Sequence, residues 1–146
     1  MQQKQKTTGL VWFQNNLRVH DNASLQLACK QHQNVIATFI FDTDYYQQTQ
    51  FGFQKTGVFR VQFLLETIAN LKKNLAKLNI TLLTYFDNSS TRISKICAAH
   101  SIDEIYVQKE WTSEEKDAIY SVKAQIPIHI KITEIFDQFL FHRSEE

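Results

Sequence analysis

"LVWFQNNLRVHDN", Leu10 to Asn22, is the stretch on which the fold turns. Four apolar residues, Leu10 to Phe13, stop abruptly at the amides Gln14, Asn15 and Asn16, and Asp21-Asn22 then stands directly before the run Ala23 to Lys30. A short apolar run reads as a strand buried on both faces. An Asp or Asn just ahead of a helical pattern reads as its N-cap. The stretch therefore predicts strand, polar loop and helix in succession.

The alternation continues along the chain. Val35 to Phe41, Ile80 to Phe86 and Glu104 to Val107 are further nearly continuous apolar runs, expected to be strands buried on both faces, whereas Ile128, Ile130 and Ile132 alternate with polar residues, which predicts an edge strand over Ile128 to Ile135. Between them lie helical patterns. Leu64, Ile68, Leu71, Leu75 and Leu78 recur at helical spacing within Gly57 to Leu78, with Lys72, Lys73 and Lys77 near the C-terminal end where they complement the helix dipole. Ile93, Ile96 and Cys97 mark a shorter helix, and Thr112 followed by Glu115 predicts a capping box for a helix through about Val122. The order β-α-β-α-β-α-β-α-β predicts an α/β fold, a doubly wound, Rossmann-like five-stranded parallel sheet with helices on both faces and right-handed crossovers. A strand order 3-2-1-4-5 reverses the winding between strands 1 and 4, and ligands of such sheets sit beyond the carboxyl ends at that point. Those ends are Gln14-Asn15-Asn16 and Gln108-Lys109-Glu110, with Phe41 and Asp42 close by. The connection Asp42 to Thr56 is long for an ordinary loop, which predicts a part in forming the site.

Composition bounds the rest. A length of 146 residues fits one domain, and 43% hydrophobic residues with eleven Phe predict a packed globule. Sixteen basic against fifteen acidic residues give no electrostatic footprint for nucleic acid. The apolar runs are too short to span a bilayer and the Gln- and Lys-rich head Met1 to Thr8 has no signal-peptide core, so a cytoplasmic protein with a flexible tail over 1–8 is expected. Cys29 and Cys97 are read as two reduced, buried thiols.

Familiar catalytic motifs are missing. The glycines, at 9, 52 and 57, build neither G-x-G-x-x-G nor a P-loop, the five histidines (20, 32, 100, 129 and 142) fall at no metal-ligand spacing, and no G-x-S-x-G elbow occurs. Glu110 stands out in the crevice: a carboxylate accepts two parallel hydrogen bonds, which suits an edge with adjacent N–H donors, as in pterin or guanine rings. The plainer reading makes it a solvated residue ahead of the Thr112 cap, paired with Lys109 or the helix dipole.

At this point the residues resemble a known family. "LVWFQNNLRVHDN" is similar to the amino-terminal signature of photolyases and cryptochromes, "FGFQKTGVFRVQFLLETIANL" to the DASH-type cryptochrome branch, and "VQKEWTSEEKD" and "FDQFLFH" follow in the right order. The resemblance covers about Gly9 to His142. It implies an α/β antenna domain over 9–142, with 143–146 beginning a linker to a helical, FAD-binding domain absent from these residues. DNA would be met only through that domain. It implies methenyltetrahydrofolate or another antenna pigment between the two domains, with Glu110 on the pterin edge; Lys55 belongs to the DASH-like F-G-F-x-K-T-G loop, and Lys109, Phe41 and Asp42 are expected beside Glu110 from the strand order. Trp12 and Trp111 are read as packing residues, and Arg18, His20 and Asp21 as ordering the first loop. Departures from the family pattern are Gln14 for arginine, Asn16 for an acidic residue and Gln54 for proline. A loss of both charges together costs least where the two groups normally bond each other or a shared partner. Two rivals remain: a stand-alone nucleotide-binding module of the stress-protein type, disfavoured by the lack of a phosphate loop, and a partner-docking domain without pigment, favoured by Gln14 and Asn16.

Overall fold

The computed structural model describes residues 6–138. Its elements run β1 (Thr8–Phe13), α1 (Ala23–Gln31), β2 (Asn34–Asp42), a 3₁₀ turn (Thr43–Tyr45), α2 (Val58–Ala76), β3 (Thr81–Asp87), α3 (Ser89–His100), β4 (Glu104–Gln108), α4 (Ser113–Gln125) and β5 (Lys131–Ile135). All pairings are parallel and the order is β3-β2-β1-β4-β5, as the alternation of strand and helix patterns predicts. Helices α1 and α2 cover one face and α3 and α4 the other, because alternate residues of each strand feed opposite cores. Val11, Phe13, Phe39 and Tyr106 pack with Leu25, Ile68 and Leu71 on the first face. Leu10, Trp12, Ile105 and Val107 pack with Ile93, Ile96, Ile119 and Val122 on the second.

Register on β1 fixes the centre of the sheet. Val11 lies between Ala37 of β2 and Tyr106 of β4, and Leu10, Val11 and Phe13 have no exposed surface. Asn22 is the cap of α1, its Oδ1 accepting the Leu25 N–H at 3.0 Å. Its Nδ2 ties the loop back by donating to the carbonyls of Asn16 and Arg18.

Several expectations need correction. Thr8, expected in the tail, belongs to β1, while Met1 to Gln5 and 143–146 lie outside the described residues. Strand β3 is an edge strand, with Thr81, Thr84 and Phe86 exposed, rather than one buried on both faces. Helix α2 ends at Ala76, and Leu78 faces solvent in the turn that follows. The last strand begins at Lys131 because Pro127 follows the end of α4 and Ile130 N–H closes a turn onto the Pro127 carbonyl, which leaves Ile128 fully exposed. Thr112 occupies the N-cap position of α4 without a side-chain capping bond; Glu114 and Glu115 in the first turn supply favourable charge instead. Both thiols are free, but only Cys97 is buried; Cys29 lies on the exposed side of α1. Burial pushes the Cys97 thiol up to about 11. No helix among the described residues is long and apolar enough to cross a membrane.

Candidate functional site

The carboxyl ends of β1 and β2 and the amino ends of α2, α3 and α4 enclose a cavity of about 610 Å³. Trp12, Phe13, Tyr45 and Tyr46 give it aromatic walls, and Gln14, Asn15, Asp42, Lys55, Arg60 and Glu115 give it polar ones. The long connection forms its outer rim, as expected: the 3₁₀ turn is followed by a small hairpin bridged at Gln48 and Gln54. That hairpin is held by Thr49 N–H on the Phe53 carbonyl (2.7 Å) and Gly52 N–H on the Thr49 carbonyl (2.9 Å), with Gly52 at φ 80 in the left-handed region. Thr56 Oγ1 donates to the Tyr45 carbonyl at 2.6 Å and fastens its base.

The five expected site residues separate. Asp42 and Lys55 line the cavity. Both oxygens of Asp42 are engaged by the main chain, Oδ1 by Asp44 N–H at 3.1 Å and Oδ2 by Ser89 N–H at 3.0 Å. Lys55 crosses the mouth to Glu114, 3.3 Å away. Phe41 turns to the opposite face from Asp42 and packs edge-on against Phe39 at 4.9 Å, with Tyr46 beyond it. Lys109 leaves the crevice: its N–H extends the β4–β5 ladder to the Ile135 carbonyl (2.8 Å), so strand alternation persists and directs its ammonium over the Trp111 ring, 5.2 Å from the centroid.

Glu110 is 3% exposed, not the solvated residue of the plainer reading. Its Oε1 accepts from Gln108 Nε2 at 3.1 Å and, more weakly, from Asn15 Nδ2 at 3.4 Å. Asn15 lines the cavity, so Glu110 sits one side chain behind it. Burial raises the Glu110 pKa above the ordinary value of 4.5; the bonds from Gln108 and Asn15 oppose this and the nearby Glu115 charge adds to it. Tyr45, on the cavity wall, is likewise pushed up by burial and by surrounding carboxylates, Glu115 and Glu114 foremost.

The first loop is ordered partly by residues that sequence reasoning had picked out. Arg18 Nε donates to the Asp21 carbonyl (2.9 Å), and Asp21 itself adopts φ 48. Asp137 was missed. It accepts the Ala23 N–H at the start of α1 (3.0 Å) and faces Arg18 at 3.5 Å, so the segment after β5 clamps the loop after β1. Its signal was its place within "FDQFLFH", whose last residues, including His142, lie outside the described residues. Gln14 and Asn16 make a local pair, Asn16 Oδ1 accepting the Gln14 N–H at 3.3 Å. Gln14 Oε1 and Asn16 Nδ2 are buried without a partner among the described residues. Trp12 is buried in the core and Trp111 packs edge-on to Phe136, as packing residues do.

A family model described as DNA photolyase matches residues 9–145. The chain belongs to this family. Among relatives, Cryptochrome DASH of Gloeobacter violaceus is 33% identical over 136 residues, covering 92% of this chain and 27% of that protein. The crystal structure of a Synechocystis cryptochrome superposes with a TM-score of 0.85 at 33% identity, over 89% of this chain and 27% of that one. An archaeal photolyase from Sulfolobus tokodaii, described with two FAD molecules, shares the fold with a TM-score of 0.79 at 22% identity, over 94% of this chain and 32% of that one. The photolyase-family chain thus spans about a quarter to a third of the length of these proteins, and its doubly wound sheet is the architecture it shares with them.

Proposed function

We propose that this chain is the light-harvesting domain of a DASH-type cryptochrome or photolyase. It binds a pterin-type pigment, methenyltetrahydrofolate being the expected one, at Glu110 and passes excitation to FAD in a helical domain docked against it. The observation that carries this reading is Glu110 itself: a buried carboxylate just past the end of β4, at the winding reversal, whose two bonds among the described residues both fall on Oε1. Its Oε2 remains for a ligand donor, and a neutral or anionic carboxyl matches an N–H edge better than any other side chain near it. Exposed Phe51, Phe53, Phe59 and Phe63 on the hairpin and α2 support the docking half.

Titrating the protein with methenyltetrahydrofolate tests the binding half. A saturable, red-shifted near-ultraviolet band that weakens in Glu110→Gln is expected. Unchanged affinity in Glu110→Gln would instead favour the docking domain without a site at this residue. Absence of the band even after the chain is joined to an FAD-binding helical domain overturns the reading.

One observation favours a second seat for the pigment. The cavity is large enough for a tricyclic ring and does not include Glu110, and the fold is shared with the Sulfolobus photolyase described as implying a novel light-harvesting cofactor. A flavin-type pigment inside the cavity is this alternative, and competition between riboflavin and methenyltetrahydrofolate separates it from the first.

A further inference from the structure

A carboxylate pairs with a planar edge of two adjacent N–H donors by using both of its oxygens, one donor on each. At Glu110 one of the two is already taken. Oε1 accepts from Gln108 Nε2 at 3.1 Å and from Asn15 Nδ2 at 3.4 Å, which uses both of its lone pairs. The carboxyl as it stands therefore offers a ligand one oxygen, Oε2, and a two-donor ring gains its second bond only when one of the two amides gives way.

The amides are not equally fixed. Gln108 is 3% exposed and ends β4, where it is paired with Ile135 of β5. Displacing its side chain would strand a buried donor, which costs more than the bond itself contributes. Asn15 stands in the loop after β1, exposed to solvent, and its bond to Glu110 is the one hydrogen bond its side chain makes among the described residues. At 3.4 Å that bond is longer than the ordinary range of about 2.7 to 3.2 Å. An exposed amide released from it stays hydrated, so its release costs little. Asn15 also lines the cavity, whereas Glu110 does not. The side chain that is easiest to move is thus the one that stands between the cavity and the buried carboxyl.

We propose that Asn15 is a gate between the cavity and Glu110: it limits the carboxyl to one acceptor oxygen, and a ring with two adjacent N–H donors opens it by taking the place of the Asn15 amide on Oε1. This rests on the reading of Glu110 as the pigment acceptor and adds the residue that regulates it. Asn15 is then specificity-determining, because a ring with one donor is served by Oε2 and gains nothing when the gate opens.

Pterin and lumazine are the probes. Pterin presents a ring N–H beside an amino group; lumazine keeps the ring N–H and has a carbonyl in place of the amino group. Followed by their own fluorescence at one pH, pterin should bind more tightly than lumazine, and Asn15→Ala should raise that preference by about threefold or more. Asn15→Ser, which keeps a donor of shorter reach, should move the preference the same way by less and guards against a folding defect in the alanine variant. A second arm needs no pigment. Carboxyl groups are coupled to glycinamide with a water-soluble carbodiimide and the products located by mass spectrometry. In the unaltered protein Glu114, which lines the cavity and is exposed, should react well ahead of Glu110; in Asn15→Ala the Glu110 rate should rise severalfold while that of Glu114 stays. A pterin preference that neither variant moves, or equal Glu110 labelling with and without Asn15, overturns the gate. If neither ring binds, or if Glu110→Gln binds pterin as tightly as the unaltered protein, it is the pigment reading at Glu110 that fails in this chain, and labelling alone then decides the gate.

Discussion

Glu110 is the residue at which chemistry and stability oppose each other. Burial holds its pKa above the ordinary glutamate value of 4.5. The folded chain therefore keeps a proton that the unfolded chain has lost, in the window from the unfolded value up to the raised folded one. Stability from this residue is fully present below that window, falls as pH rises through it, and stays lower above. Glu110→Gln abolishes the loss while keeping an acceptor for Gln108 and Asn15. We expect the variant to be more stable than the unaltered protein at neutral pH, with the gap closing below about pH 4; each 1 kcal/mol would appear as roughly 2 to 4 °C in thermal unfolding. A gap that widens on acidification would show that Glu110 is held ionised instead. That Glu110 follows β4 at the winding reversal was legible in the sequence because strand order alone sets the switch point. Its burial was not, since that depends on Asn15 from the loop after β1 and Gln108 from the end of β4 closing over it. Lys109 was misplaced for a simpler reason: it is adjacent in sequence to Glu110, and strand alternation sends adjacent residues to opposite faces.

At the scale of elements, the seam between β1 and α1 depends on a glycine at one end and on Asp137 at the other. A Cβ on Gly9 would meet His32 Cδ2 at 2.7 Å. The ring has little room to yield, because its Nε2 is bonded to Tyr106 Oη at 2.8 Å and its side chain is 6% exposed. Gly9→Ala should therefore destabilise by roughly 1 to 3 kcal/mol through overpacking. Replacing the ring in the same chain, as Gly9→Ala with His32→Ser, should cost less than the sum of the two single changes, measured by urea unfolding as a double-mutant cycle. Strict additivity would mean that the ring moves aside freely. Sequence patterning found α1 with its Asn22 cap, and α2, because they follow local rules. It missed the Gly9–His32 contact, which joins the start of β1 to the cap that ends α1. It also overextended α2 and β5: Leu78 continues the apolar period after the helix has ended, and Ile128 anticipates it in the turn before the strand begins.

For the molecule as a whole, the fold was legible because five strand patterns alternating with four helical ones admit few topologies. The sequence did not reveal which apolar residues the domain leaves uncovered. Phe51, Phe53, Val58, Phe59 and Phe63 are all at least two-thirds exposed, with Phe59 at 88%. They gather on the hairpin and the first turns of α2, whereas the buried residues Ile68, Leu71 and Leu75 lie in the C-terminal half of that helix. The helix is thus amphipathic toward its own sheet only in its second half. Rings this exposed add little to the stability of the domain and present an apolar surface to solvent, which is expected to bind a hydrophobic dye. Phe59→Ser combined with Phe63→Ser should lower the fluorescence of bound anilinonaphthalene sulfonate markedly while leaving the stability of the domain within about 0.5 kcal/mol. If stability instead drops by several kcal/mol, the two rings belong to the core and the first half of α2 packs more closely than its exposure indicates. If stability and dye binding are both unchanged, the accessible apolar surface lies elsewhere, and the case for docking a second domain on this side of the molecule loses its support.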